Sequence, residues 1–141
     1  MLTEQQRDSL IQKAQEIREI AYAPYSKFKV GCSILTEEGE YYQGCNIENV
    51  IFPVGICAER SAIANMVCNR KGQEIPKIVG ICVSSSIGVR CCGVCLQAIE
   101  EFVPEGDVPI ILLKVGEKES DNTFLITSFR KMMPMPISLK L

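Results

Sequence analysis

The architecture of this protein follows from a short apolar run, Ile78-Val79-Gly80-Ile81-Cys82-Val83. The run contains no charged residue and is rich in β-branched side chains, which is typical of a strand buried on both faces of a sheet. A second run of the same kind, Pro109-Ile110-Ile111-Leu112-Leu113-Lys114-Val115, lies further along the chain. Strands of this kind occur where helices cover both faces of the sheet, so the two runs predict an α/β fold.

Helical patterns surround these two strands. Residues 3–21 repeat apolar residues at helical spacing and begin with Thr3 and Gln6, a capping-box pattern. Residues 58–67 are rich in helix formers, and residues 92–102 indicate a further strand-to-helix junction. An apolar alternation of period two from Phe28 to Ile34, a turn at residues 38–39 and the segment 41–43 together predict a β-hairpin.

The predicted order of elements is α-β-β-α-β-α-β, followed by a tail that the pattern leaves unassigned. This order favours a three-layer α/β/α sandwich with a mixed central sheet, and ligands are expected where strands end and helices begin. The length of 141 residues fits one domain. We therefore expect a single domain over residues 1–141.

The composition limits the partners of the protein. The formal net charge is -2, and lysines and arginines are scattered among acidic residues, so a nucleic-acid surface is not expected. No apolar stretch approaches the roughly 20 residues that cross a bilayer, and the N-terminal segment is polar. We expect a cytoplasmic protein that binds a small neutral ligand and neither nucleic acid nor membrane.

Cysteine and histidine usage narrows the chemistry. The chain has eight cysteines and no histidine. Without an export signal, and with enough apolar residues for a core, the cysteines do not indicate a disulfide framework. Because histidine is absent, a metal site in this chain must be built from thiolates and carboxylates.

A cysteine pair and a separate cysteine supply the candidate ligands. Cys92 and Cys95 are spaced so that both can bind one zinc ion, and Cys57 can supply a third thiolate from another helix start. A redox dithiol is the competing interpretation of the Cys92–Cys95 pair. Glu59 favours the zinc site over the redox dithiol. A carboxylate two residues after a metal ligand can reach a water molecule at the open metal position without binding the metal. The pattern therefore predicts hydrolysis.

Four motifs in order resemble the cytidine deaminase family, in its small homotetrameric branch with three cysteine ligands. They cover nearly the whole chain: Ala21-Tyr22-Ala23-Pro24-Tyr25-Ser26-Lys27-Phe28, Gly44-Cys45-Asn46-Ile47-Glu48-Asn49, Cys57-Ala58-Glu59-Arg60 and Cys92-Gly93-x-Cys95-x-Gln97. The resemblance implies that Phe28 stacks near the pyrimidine, that Asn46 and Glu48 hold the ribose hydroxyls, and that backbone around Ala58 reads the base. It also implies a homotetramer whose neighbours complete each site.

The implied reaction is the zinc-dependent hydrolysis of cytidine and 2'-deoxycytidine to uridine and 2'-deoxyuridine with release of ammonia, a step of pyrimidine salvage. Zinc makes its bound water more acidic, and Glu59 accepts the proton and passes it to N3 of the ring. Three thiolates leave the metal cluster with a net negative charge. We expect Arg60 to donate hydrogen bonds to the thiolates, and we expect the two helix N-termini to offset part of the charge.

Several alternatives stay open at the level of sequence. Taken alone, Phe28 is more typical of a core residue, and Glu59 and Arg60 of ordinary helix charges. A blasticidin-type or other nucleoside-analogue deaminase shares the zinc motif, and a thiol redox or sensor protein would also use many cysteines. A zinc-bound scaffold without turnover is favoured if Cys91, which stands where the family usually has proline, fills the open metal position.

The chain departs from the family at further points. Leu96 replaces an arginine that is usual after the last cysteine, and we expect Arg90 to compensate in part. Phe52 stands where a tyrosine is common. The tail Met133-Pro134-Met135-Pro136-Ile137 lacks the aromatic residue that family members donate to a neighbouring subunit.

Overall fold

A computed structural model describes residues 1–138. Its main elements in chain order are α1 (Glu4–Glu19), β1 (Gly31–Thr36), β2 (Tyr41–Cys45), α2 (Ala58–Asn69), β3 (Ile78–Ser85), α3 (Gly93–Glu100), β4 (Pro109–Lys114), β5 (Thr123–Ser128) and α4 (Phe129–Met132). The capping box predicted at the start of α1 is present, since the amide of Gln6 donates to Oγ1 of Thr3 and the amide of Thr3 donates to Oε1 of Gln6.

All five strands form one sheet in the order β2-β1-β3-β4-β5. The two apolar runs form the parallel pair at its centre, in which Val83 lies opposite Leu112. The other three neighbouring pairs are antiparallel, including the predicted hairpin of β1 and β2. The predicted mixed central sheet is therefore confirmed.

Helices cover both faces of this sheet, as the buried strands require. On one face, Leu10 and Ala14 of α1 pack against Leu35, Cys82 and Ile111. On the other face, α2 and α3 pack against the alternate residues of the same strands, among them Ile34, Ile81, Val83, Ile110 and Leu112. This arrangement confirms the three-layer α/β/α sandwich.

The first predicted strand begins later than the pattern indicated. The alternation from Phe28 predicts a strand there, but β1 begins at Gly31. Residues 28–30 are instead held by the side chain of Asn46, whose Oδ1 accepts from the amide of Val30 at 2.8 Å and whose Nδ2 donates to the carbonyl of Phe28 at 2.8 Å. The side chain thus takes two hydrogen bonds that a neighbouring strand would otherwise supply, while the main-chain amide of Asn46 still donates to the carbonyl of Val30 at 3.1 Å.

The unassigned tail forms β5, which pairs with β4, and the short helix α4. Three consecutive apolar residues of β5, Phe124, Leu125 and Ile126, are about half exposed. Because neither face of this edge strand is cleanly buried, its sequence lacks the alternation that predicts a strand. Within residues 1–138, no helix is long and apolar enough to cross a membrane.

Gly44 of β2 sets the distance between the sheet and α2. A Cβ atom at this position would stand 2.6 Å from the carbonyl oxygen of Ala58 and even closer to the amide nitrogen of Ala62. Only the absence of a side chain allows the first turn of α2 to lie so close to the strand. Because that turn contains Glu59 and follows Cys57, Gly44 also positions the site described below.

We expect Gly44→Ala to destabilise the protein by about 1–3 kcal/mol, because the backbone of α2 must move to admit the methyl group. Urea unfolding measures the change. Gly106→Ala is the matched control, since a Cβ there meets nothing within 4 Å. Equal free energies of unfolding for the two variants would contradict the role given to Gly44.

Candidate metal centre and active site

Two helix starts provide the three candidate ligands. Cys57 is the N-cap residue of α2 and Cys92 is the N-cap residue of α3, both with extended backbone. The amide of Cys95 donates to Sγ of Cys92 at 3.4 Å, which ties the pair into the first turn of α3. Both helix N-termini therefore bring positive dipole ends to the residues that carry the candidate ligands.

The three sulfurs form a compact group. The Sγ atoms of Cys57, Cys92 and Cys95 all lie within 4.8 Å of one another. Tetrahedral zinc with Zn–S bonds of about 2.3 Å requires sulfur separations of about 3.8 Å, a value within the 4.8 Å limit that this group meets. Three soft thiolate donors that leave one position open fit a catalytic Zn²⁺ site in number, chemistry and spacing.

Arg60 contributes positive charge beside this group. Its Nη2 atom donates to Sγ of Cys57 at 3.9 Å, and its Nε atom is buried without a hydrogen-bond partner in the part of the chain that is described. Hydrogen bonds from Cys95, and then from Arg60 and Cys92, lower the pKa of the Cys57 thiol to about 5, although burial opposes them. A thiolate at Cys57 is thus favoured, as metal binding requires.

Glu59 lies in the first turn of α2 and is 5% exposed. Burial raises the pKa of its carboxyl group, and the charge of Cys57 adds to this effect, while hydrogen bonds from its own backbone amide and from the thiols of Cys91 and Cys95 lower it. The net increase makes Glu59 a better proton acceptor than an exposed glutamate.

Cys91 is buried beside Glu59 but lies outside the group of three sulfurs. Burial, followed by the charge of Glu59, raises the pKa of its thiol well above the ordinary range. Its Sγ atom is not one of the three that converge, and this geometry disfavours the closed four-sulfur site that Cys91 had suggested.

A cavity of about 600 Å³ adjoins Cys57 and Arg60. The predicted sugar-binding residues Asn46 and Glu48 line it, together with Tyr25, Ser26 and Phe52, which the sequence analysis gave no binding role. The sequence did contain a signal that Tyr25 and Ser26 lie at the site, because both belong to the first family motif. The rings of Tyr25 and Phe52 meet edge to face with centroids 6.4 Å apart.

Glu48 is held by the loop before β1. Its Oε2 accepts from the amides of Tyr25 and Ser26 at 3.3 and 3.1 Å, and its Oε1 accepts from the Ser26 hydroxyl. The hydrogen bond from the Ser26 hydroxyl is the main cause that lowers the pKa of Glu48. The carboxylate is therefore charged and fixed in direction.

The remaining predicted residues occupy other positions. Ala58 is fully buried in the first turn of α2. Phe28 is half-buried and is not among the described residues that line the cavity. Arg90 is exposed, and among residues 1–138 its side chain makes no hydrogen bond to a thiol, so the expected compensation for Leu96 is not observed.

Comparison with known proteins agrees with this geometry. Residues 4–110 match the family described as the cytidine and deoxycytidylate deaminase zinc-binding region. The chain is 37% identical over 128 residues to a cytidine deaminase of Sporosarcina psychrophila, covering 90% of this chain and 88% of that one. It is 42% identical over 93 residues to a cytidine deaminase of Mycoplasma pneumoniae, covering 66% and 69% of the two chains.

A solved structure shows the same fold. The crystal structure of cytidine deaminase from Burkholderia pseudomallei superimposes with a TM-score of 0.78 at 29% identity, covering 96% of this chain and 100% of that one. Fold and thiol group together define a deaminase domain of the zinc-binding class. The chain belongs to the cytidine deaminase family and is an enzyme of that family.

Single alanine substitutions distinguish the ligands from their neighbour. We expect Cys57→Ala, Cys92→Ala and Cys95→Ala each to lose stoichiometric zinc, because two thiolates and water hold the ion far less tightly than three thiolates. Cys91→Ala should keep its zinc, which elemental analysis after gel filtration measures. Loss of zinc from Cys91→Ala would instead identify a four-sulfur scaffold.

Proposed function

We propose that this enzyme hydrolyses cytidine and 2'-deoxycytidine to uridine and 2'-deoxyuridine and releases ammonia, as a step of pyrimidine salvage. The observation that carries the proposal is the burial of Glu59, two residues after Cys57, beside the three converging sulfurs. A structural zinc site needs no acid there, whereas a hydrolase needs a group that accepts and returns a proton.

Zinc bound by Cys57, Cys92 and Cys95 would supply a water molecule of lowered pKa as the nucleophile. Glu59 is placed to accept the proton that a water molecule loses on attacking C4 of the pyrimidine, and to pass it to N3. The second proton of that water then moves to the exocyclic nitrogen, the C4–N bond breaks, and ammonia leaves. The water oxygen becomes the carbonyl oxygen of the uracil ring, so the atoms balance.

Charge compensation is the task proposed for Arg60 and the two helix starts. Three thiolates exceed the charge of one Zn²⁺, and this excess makes the bound water less acidic. The guanidinium donates to Cys57, and the N-termini of α2 and α3 add positive dipole ends. Both effects oppose the negative charge of the thiolates.

We expect Glu59→Gln to lower kcat for cytidine by roughly 10²–10⁴-fold, the usual contribution of a general acid–base group. Zinc content should stay the same, since Glu59 is not proposed as a ligand. Loss of the cytosine absorbance measures turnover, with the exposed Glu117→Gln as the matched control. Full activity of Glu59→Gln would refute the proposed proton transfer.

Asn46 and Glu48 are proposed to bind the sugar hydroxyls, with Phe28 beside the pyrimidine and the backbone around Ala58 reading the base. The support is that Asn46 and Glu48 line the cavity next to Cys57 and that both are fixed by the loop at residues 25–30. Asn46 also holds the carbonyl of Phe28, so it couples the sugar position to the position of this ring.

We expect Glu48→Gln to lower kcat/KM for 2'-deoxycytidine by about 10–100-fold, since a hydrogen bond to a charged group is worth about 1.5–3 kcal/mol. The value for 2',3'-dideoxycytidine should change little, because that substrate lacks the 3'-hydroxyl. Steady-state kinetics with both substrates distinguish a direct hydrogen bond to the 3'-hydroxyl from an indirect effect through the loop. An equal loss for both substrates would mean that Glu48 acts only through the loop.

A cytoplasmic homotetramer is proposed as the working form. Beside the cavity, the segment at residues 47–54 exposes Val50, Ile51, Phe52 and Val54. Apolar patches of this kind are typical of subunit contacts. Sedimentation equilibrium measures the mass, and an active monomer would contradict the assembly.

A further inference from the structure

A second cavity, of about 370 Å³, lies apart from the proposed substrate site and shares none of its described lining residues. It opens between the segment before α3, the strands β4 and β5, and the helix α4. Its wall includes Arg90, Leu96, Leu112, Leu125, Lys131 and Met132. A volume of this size is within the range of small-molecule sites.

The described wall of this cavity is positively charged. Arg90 and Lys131 both line it, and no acidic residue does so within the described chain. Over residues 1–138, neither side chain has an ion pair or a hydrogen bond. The adjacent Arg130, by contrast, pairs with Glu100 at 2.8 Å.

Both cations line one cavity whose described wall has no acidic residue, so an anion bound in this cavity is attracted by both. A phosphate monoester carries a charge of about -1.5 to -2 at neutral pH, which matches two cations better than a single carboxylate does. Guanidinium and ammonium groups are also the usual donors to phosphoryl oxygens.

The rest of the wall is apolar. Leu96, Leu112, Leu125 and Met132 present hydrocarbon and thioether surface, and Met adapts its shape readily to a ligand. Inorganic phosphate would leave this surface in contact with water. An organic group attached to the phosphate would cover it and add the free energy of apolar burial.

We propose that this cavity binds a small phosphate monoester with an aromatic or otherwise apolar body, with the phosphate between Arg90 and Lys131 and the body against the leucines. This site is additional to the deaminase site and does not depend on the proposed reaction. Leu96 and Cys91, which also line the cavity, directly adjoin the candidate ligands Cys95 and Cys92.

Phenyl phosphate is a suitable probe, because it bears no resemblance to a cytosine nucleoside. Isothermal titration calorimetry on the zinc-loaded wild-type protein should show saturable binding. We expect Arg90→Gln and Lys131→Gln each to weaken binding by about tenfold, the loss expected for one charged hydrogen bond. Lys71→Gln, which removes an exposed cation elsewhere, should bind phenyl phosphate like the wild type.

Two further probes and one independent measurement complete the test. Phenol and inorganic phosphate should each bind at least tenfold more weakly than phenyl phosphate. In methyl NMR spectra, phenyl phosphate should shift the signals of Leu125 and Met132. Absence of saturable binding, or unchanged binding in both charge variants, would overturn the proposal. The proposal is also wrong if inorganic phosphate binds as tightly as phenyl phosphate, or if phenyl phosphate leaves the methyl signals of Leu125 and Met132 unchanged.

Discussion

The approach of Cys57 to Cys92 and Cys95 depends on where the sheet places two helix starts. The helices α2 and α3 lie on the same face, and the close contact of α2 with β2 at Gly44 fixes the height of its first turn. The core strands β3 and β4 then bring α3 alongside, since β3 leads into it and β4 follows it. The position of each sulfur is thus set by packing of the whole sheet rather than by a local loop.

Electrostatics explains why positive groups lie beside these three sulfurs. A buried carboxylate and several thiolates in one small volume repel one another, and desolvation adds to the cost of ionising them. Arg60 contacts Cys57 with a positive side chain, and the helix starts at Cys57 and Cys92 add positive dipole ends. Burial is the main cause that raises the pKa of Glu59, and the negative charge of Cys57 raises it further.

The sequence predicted the parts of the molecule whose residues carry a periodic or chemical pattern. The runs at 78–83 and 109–115 indicated the buried strands, and the spacing of three cysteines and Glu59 indicated the centre of the site. It did not predict β5, because an edge strand with exposed apolar residues lacks alternation. Nor could it show that Asn46 replaces strand pairing at residues 28–30, since that depends on a contact between distant segments.

The loop at residues 25–30 also has a thermodynamic consequence. Asn46 and Glu48 already make their hydrogen bonds to its backbone in the free protein, so their rotamers are restricted before any ligand arrives. Immobilising a flexible polar side chain on binding costs about 0.5–1.5 kcal/mol, and much of that entropy has here been lost during folding. A ligand that binds these two side chains therefore causes a smaller loss of conformational entropy than it would with free side chains.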